Sequence, residues 1–186
     1  MKNGEEVAVN ISEFDKDINQ KLDKQVTRVV KLLSLSNKSI ATAESCTGGL
    51  ISELITSVPG ASGVFEFGVC SYSNRIKHDV LGVDNRILDE FTEVSVQTAM
   101  AMAEGMRRIS GADIAVSVTG IAGPGGGTPE KPVGTVFIGF STENGCYARC
   151  PDLCGMGLNR DGIRKHTALS VFNEVELILM GENNNE

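Results

Sequence analysis

Ser45 stands in the segment Thr42-Ala-Glu-Ser-Cys-Thr-Gly-Gly49, between a short apolar run, 40–43, and an apolar segment, 50–58. That order reads as strand, tight turn, helix, with a hydroxyl nucleophile at the turn. Such a turn lifts a side chain to the C-terminal edge of its strand and aims helix N-terminal N–H groups at whatever binds there. The backbone N–H groups of Cys46, Thr47 and Gly48 are the expected oxyanion donors. A serine is a weak nucleophile until a neighbour takes its proton. Only two histidines exist, His78 and His166, and neither suggests a Ser-His-Asp triad. Lys77 is the better base, in Tyr72-Ser-Asn-Arg-Ile-Lys77. Tyr72 ends an expected strand there, and Lys77 lies one turn into the next element. A lysine acts as base only when burial or a nearby cation pulls its pKa from about 10 toward 7. Arg75 is a candidate for that cation, or for an anion contact. Spacing alone equally admits a packing Tyr72 and a solvated Lys77. Cys46 is the rival nucleophile, because thiolates are intrinsically better. Its position after Ser45 points it another way, as a small buried residue.

A second group of residues could hold an anion. The loop Thr119-Gly-Ile-Ala-Gly-Pro-Gly-Gly-Gly-Thr128 has five glycines in ten residues. It can expose backbone N–H groups without Cβ obstruction, with Thr119, Gly120, Gly123 and Gly125 the expected contacts. It is not a P-loop, since no Gly-Lys-Ser/Thr follows, and a long turn is the plain alternative. Glu130 and Lys131 lie just beyond it. Arg160 and Arg164, one helical turn apart, suit either a phosphate clamp or an ordinary surface. Cys146, Cys150 and Cys154 are spaced by four, lack a fourth ligand and fit no metal spacing. No metal and no organic cofactor is expected.

These residues need elements to place them. Ser12 can cap a helix to about Leu35, with Phe14, Ile18, Leu22, Val26, Val29, Val30 and Leu33 stepping by three and four. Residues 1–11 read as a lead-in, 12–180 as one domain and 181–186 as a frayed tail. Strands are expected at 39–43, 64–73, 112–118 and 133–140, with a shorter one at 145–149 paired through the Glu143-Asn144-Gly145 turn. Helices are expected at 47–58, near 76–81 and 86–91, at 95–109 with Ser95 as cap and Gly111 as stop, and from Arg160 or Asp161 to about Leu179. About five strands separated by helices, with a close antiparallel pair at one edge, give an α/β fold: a three-layer α/β/α sandwich on a mixed, about five-stranded sheet.

The bulk properties narrow the function classes. The chain has 186 residues, 41% of them hydrophobic, and 17 basic against 24 acidic residues give a net charge of −7. An acidic chain without a basic block, with 5% aromatics and no Trp, is a poor nucleic-acid binder. An anionic substrate must then be held by a local arrangement and not by the overall field. No apolar signal region and no run long enough for a membrane span is present. Five cysteines without secretory signals suggest reduced thiols in a cytoplasmic protein. Oligomeric state, including a homo-oligomer, is left open.

Taken together, the chain resembles the CinA C-terminal domain family, which includes nicotinamide-nucleotide amidohydrolases. The resemblance rests on Thr42-Ala-Glu-Ser-Cys-Thr-Gly-Gly49, Tyr72-Ser-Asn-Arg-Ile-Lys77 and Val118-Thr-Gly-Ile-Ala-Gly-Pro-Gly-Gly127. It extends through Glu130-Lys-Pro-Val-Gly-Thr-Val136 and Arg160-Asp-Gly-Ile-Arg164, in one order from about Val26 to Leu179. It implies a three-layer sandwich on a mixed sheet. It also implies hydrolysis of the carboxamide of nicotinamide mononucleotide to nicotinate mononucleotide and ammonia, part of pyridine nucleotide salvage. The family's catalytic serine, tyrosine and lysine fall on Ser45, Tyr72 and Lys77, and the glycine-rich loop gains a role beside the ribose phosphate. The expected partner is thus a small nucleotide substrate, with no nucleic acid and no membrane. Two departures stand out. Leu153-Cys-Gly-Met-Gly-Leu-Asn-Arg160 spaces its glycines differently from the family's aromatic-x-Gly-x-Arg approach. The N-terminal pterin-cofactor-like domain of larger members has only a longer lead-in in its place. An amidase for another small amide, or a non-catalytic binding module linked to competence or DNA damage, remains compatible with these residues.

Overall fold

A computed structural model describes residues 3–182, with side chains from Asp17 to Gly181. The elements in chain order are α1 (Asn3–Leu35), β1 (Ile40–Glu44), α2 (Leu50–Thr56), β2 (Phe65–Cys70), α3 (Asn74–Asp79), α4 (Asn85–Phe91), α5 (Val96–Ser110), β3 (Ile114–Gly120), β4 (Val136–Thr142), β5 (Gly145–Arg149) and α6 (Arg160–Glu182). α1 starts ahead of the Ser12 position expected from the sequence. The side chains of Ser12 and Phe14, and the tail after Glu182, lie outside the described residues.

The five strands form one sheet in the order β2-β1-β3-β4-β5. β1 runs parallel to both β2 and β3, while β4 is antiparallel to β3 and to β5. The antiparallel part is therefore wider than the single edge pair read from the sequence. β4 begins at Val136 and not near Val133, because Thr135 donates its amide to the Pro132 carbonyl and closes a turn first.

The period-two alternation of β1 assigns its neighbours to two layers. Ile40 joins a core with Ile114, Val116, Val118, Ile138 and Phe140, covered by α1, α2 and α6. Ala41, Ala43 and Ala115 face the other way, against Leu81, Val83, Leu88, Met102 and Met106. The result is a three-layer α/β/α sandwich on a mixed five-stranded sheet. The small residues of β1 let α5 lie close to the sheet. Ser95 caps α5 by accepting from the Thr98 amide, and Gly111 ends it with φ of 73°. The buried face of α5 is Thr98, Ala99, Met102, Ala103, Gly105 and Met106, while Val96 at its start is exposed. α1 packs along α6, burying every apolar position expected from Ile18 to Leu33.

Candidate active site

The three parallel strands β2, β1 and β3 end at the same edge of the sheet. In open α/β sheets, ligands bind outside the carboxyl ends of the strands, where successive connections leave in opposite directions. β1 lies between β2 and β3 and meets that condition. Ser45 follows β1 directly, with its amide bonded to the Val118 carbonyl of β3 at 2.9 Å.

The turn after Ser45 is fixed by the residue before it. Glu44 is fully buried. Its Oε2 accepts the Gly49 and Ile51 amides at 2.9 and 3.1 Å, and its Oε1 accepts the Ser52 amide and hydroxyl at 2.8 and 2.7 Å. These donors belong to the first turn of α2, where no intrahelical acceptor exists, so a carboxylate satisfies them. The helix N-terminus is thereby directed at Glu44 and not at a ligand, contrary to the sequence expectation. Gly48, expected as an oxyanion donor, gives its amide to the Ser45 carbonyl at 3.1 Å. The Cys46 and Thr47 amides are the donors that remain from that set.

Lys77 comes from α3, which Ser73 caps by accepting from the Ile76 amide. The side chain is 1% exposed, the largest fully buried side chain in the molecule's described part. Its Nζ lies 3.4 Å from Ser45 Oγ and donates to the Ser71 carbonyl at 3.0 Å. Burial lowers its pKa, while the charge of Glu93 acts in the opposite direction. Arg75, two residues earlier, points outward and pairs with Asp79 at 2.9 Å. Residues two apart on a helix do not share a face, so Arg75 is not the cation beside Lys77.

Ser45, Cys46, Tyr72, Lys77, Glu93, Thr119, Gly120, Gly123, Gly125 and Arg160 contribute to one cleft of about 250 Å³. Tyr72 is 63% exposed, and its hydroxyl accepts from Arg160 Nη2 at 3.2 Å. Among the described residues it makes no hydrogen bond to Lys77 or Ser45, so the direct Tyr72–Lys77 pairing suggested by the sequence is replaced by a Tyr72–Arg160 pairing. Arg160 Nη1 also donates to the Gly123 carbonyl at 2.7 Å, tying the glycine-rich loop to the start of α6. Arg164 does not reach the cleft as part of a clamp. Its Nε and Nη2 hold the Thr47 carbonyl at 3.1 and 2.7 Å, bracing the turn behind Ser45. Thr119 gives its hydroxyl to the Glu93 carbonyl. Lys131 Nζ reaches Thr92 Oγ1 and the Val94 carbonyl, each at 2.7 Å, and fastens the loop to the opposite wall.

The remaining candidates fall outside this arrangement. Cys46 lines the cleft, but burial pushes its thiol up to about 12, which keeps it protonated. His78 Nδ1 pairs with the Val83 carbonyl at 2.8 Å, and burial lowers the pKa of His166 on α6. Cys146 donates to the Met100 carbonyl, and Cys154 approaches Thr135 Oγ1 at 3.7 Å. All five cysteines are free thiols. Sequence reasoning missed Glu44 and Glu93. Glu44 carries a local signal, a carboxylate just before a Gly-Gly helix entry. Glu93 carries none, because only the connection between α4 and α5 brings it to the cleft.

Fold and site together define an α/β/α protein with a serine–lysine cleft at the carboxyl edge of its parallel strands. The profile of the CinA C-terminal domain matches residues 22–179. A CinA-like protein of Akkermansia muciniphila is 56% identical over 117 residues, covering 63% of this chain and 28% of that protein. A CinA-like protein of Synechococcus sp. is 47% identical over 158 residues, covering 85% of this chain and 37% of that protein. The chain thus spans well under half the length of these curated relatives. Among solved structures, the competence/damage inducible protein CihA of Agrobacterium tumefaciens superposes with a TM-score of 0.80 at 38% identity, over 86% of this chain and 95% of that one. The chain belongs to the CinA C-terminal domain family.

Proposed function

We propose that the chain is a serine amidohydrolase that converts nicotinamide mononucleotide to nicotinate mononucleotide and ammonia. The observation that carries this reading is the buried Lys77 amine 3.4 Å from Ser45 Oγ, at the floor of a cleft walled by a glycine-rich loop. Burying an amine costs stability, and a role as base toward the facing serine gives that cost a purpose.

Neutral Lys77 takes the Ser45 proton as Oγ attacks the carboxamide carbon. The C=O electrons move onto oxygen, and the Cys46 and Thr47 amides receive the oxyanion. One such donor contributes about 3–4 kcal/mol in other hydrolases. As the tetrahedral intermediate collapses, the C–N bond breaks and Lys77 returns its proton to the leaving nitrogen, giving ammonia. Water then attacks the Ser45 ester, Lys77 takes a proton from it, and Ser45 regains its hydroxyl as the carboxylic acid departs and ionises. Tyr72 and Arg160 hold the nucleotide at the open side of the cleft, and the amides of Gly123 and Gly125 lie beside its phosphate. The cleft is small for a ligand site, for which roughly 300–1,000 Å³ is usual, so it takes the ring and carboxamide while the ribose phosphate extends to the mouth. No helix among the described residues is long and apolar enough to cross a membrane. Five free thiols suit a reducing compartment such as the cytoplasm.

The test is ammonia and nicotinate mononucleotide formation from nicotinamide mononucleotide, beside nicotinamide and a panel of non-nucleotide amides. Release confined to a non-nucleotide amide would move the substrate and keep the chemistry. Nucleotide binding without release from any amide would favour a binding protein.

A further inference from the structure

Glu93 supplies the one carboxylate among the residues that line the Ser45 cleft. Its side chain takes part in no hydrogen bond or ion pair among the described residues, and the charge it presents is felt by Lys77. Its backbone is held by hydrogen bonds on both sides. The Glu93 carbonyl accepts from Thr119 Oγ1, and the Thr92 carbonyl accepts from Thr98 Oγ1 at 2.7 Å. Lys131 Nζ binds Thr92 Oγ1 and the Val94 carbonyl on either side. Thr92 itself sits at φ of 67°, a left-handed conformation that a β-branched residue adopts only under constraint. Strain of this kind persists where the surroundings over-determine it, and it marks sites more often than ordinary loops. The effect of this bracing is to keep an unpaired carboxylate on the cleft wall, across from a cationic Arg160 whose own hydrogen bonds go to Gly123 and Tyr72.

We propose that Glu93 selects for a cationic amide, pairing with the positive charge of an N-substituted pyridinium ring whose carboxamide reaches Ser45. The inference rests on the amidohydrolase reading and names the feature of the substrate that this wall recognises. An uncharged amide of the same shape gains nothing from Glu93, because a carboxylate stays solvated beside it. A cationic ring bound in the cleft meets an opposite charge on its wall, an attraction of the size found for an exposed pair. The same ring also offsets the hold of Glu93 on the Lys77 proton. Binding of the cation therefore favours the neutral amine that the reaction needs.

The experiment compares nicotinamide mononucleotide with its reduced dihydropyridine form, which keeps the phosphate and carboxamide but loses the ring charge. The ratio of kcat/KM for the two is measured in the full chain and in Glu93→Gln. The lower intrinsic reactivity of the dihydropyridine amide enters both ratios and cancels. The expected result is a preference for the cationic form that shrinks roughly two- to fivefold in Glu93→Gln, as for an exposed charge pair. An unchanged ratio overturns the proposal. If neither nucleotide releases ammonia, the hydrolase reading fails separately, and calorimetry with both nucleotides decides the role of Glu93. Loss of the cationic preference in Glu93→Gln then supports it, and an unchanged preference or no binding overturns it. Glu93 is exposed, so the variant is expected to unfold at the wild-type midpoint.

Discussion

Lys77 is a charged residue type held in a fully buried position, far from its environment in water. Burial lowers its pKa from the ordinary 10.5. Between the folded pKa and 10.5 the unfolded chain holds a proton that the folded chain has lost, so stability rises with pH across that window. Below the window both states carry the charge, and the folded state bears the whole cost of burying it. Activity follows the same titration: kcat/KM is expected to climb with pH through the folded pKa, with its midpoint below that of a free lysine. Lys77→Met keeps the stem and removes the amine. Its expected outcome is loss of ammonia release together with an unfolding midpoint a few degrees above wild type at pH 7, from about 1 kcal/mol. A scanning calorimeter reads the second effect, and a lower midpoint would mean that the bond to the Ser71 carbonyl outweighs desolvation. Arg75 and Lys77 show what one residue's number reveals and conceals. Their separation by two already placed them on opposite faces of a helix; which face pointed inward is set by where the fold lays α3, with Lys77 buried and Arg75 exposed.

At the scale of elements, the strand–turn–helix around Ser45 was legible because all its determinants lie within ten residues. Ser95, Gly111 and the β4–β5 turn were legible for the same reason. The bonds that aim the parts at one another were not. Arg164 grips Thr47 across 117 positions, and Arg160 grips Gly123 across 37. Neither contact leaves a trace in local spacing beyond a pair of arginines one turn apart. The same limit hid the antiparallel pairing of β3 with β4, whose connection is the glycine-rich loop itself. Glu44 is the local exception that went unread. Glu44→Gln would turn an amide NH₂ toward donors of α2, which leaves at least one buried N–H unsatisfied. The expected cost is about 2 kcal/mol in chemical unfolding, with kcat reduced as the turn loosens. A variant with wild-type stability and kcat would show that the turn holds its shape without that charge. α5 meets the segment that follows α3 at a second tight point, where a Cβ on Gly105 would lie 2.0 Å from the Leu81 carbonyl. Gly105→Ala must move backbone, and the segment it moves follows the helix that carries Lys77. An expected loss of at least about 2 kcal/mol in stability, with a lower kcat, distinguishes it from a surface Gly→Ala change, which would be neutral or stabilising.

The whole molecule is a family fold used in a specific way. Three parallel strands deliver Ser45, Lys77 and the glycine-rich loop to one edge, while α1, α5 and α6 supply the apolar mass that holds that edge still. With an overall charge of −7, attraction of an anionic nucleotide falls to local groups, of which Arg160 is the cation lining the cleft mouth beside Tyr72. The name of the Agrobacterium tumefaciens structure speaks of competence and damage; amide chemistry is the reading proposed for the cleft of this chain. The most direct measurement is the rate of ammonia release from nicotinamide mononucleotide by the wild-type chain, Ser45→Ala and Lys77→Ala, each confirmed folded. The expected result is catalytic release by the wild type and a fall of at least about a thousandfold in both variants. No release by the folded wild type, or undiminished release by Ser45→Ala, would contradict it.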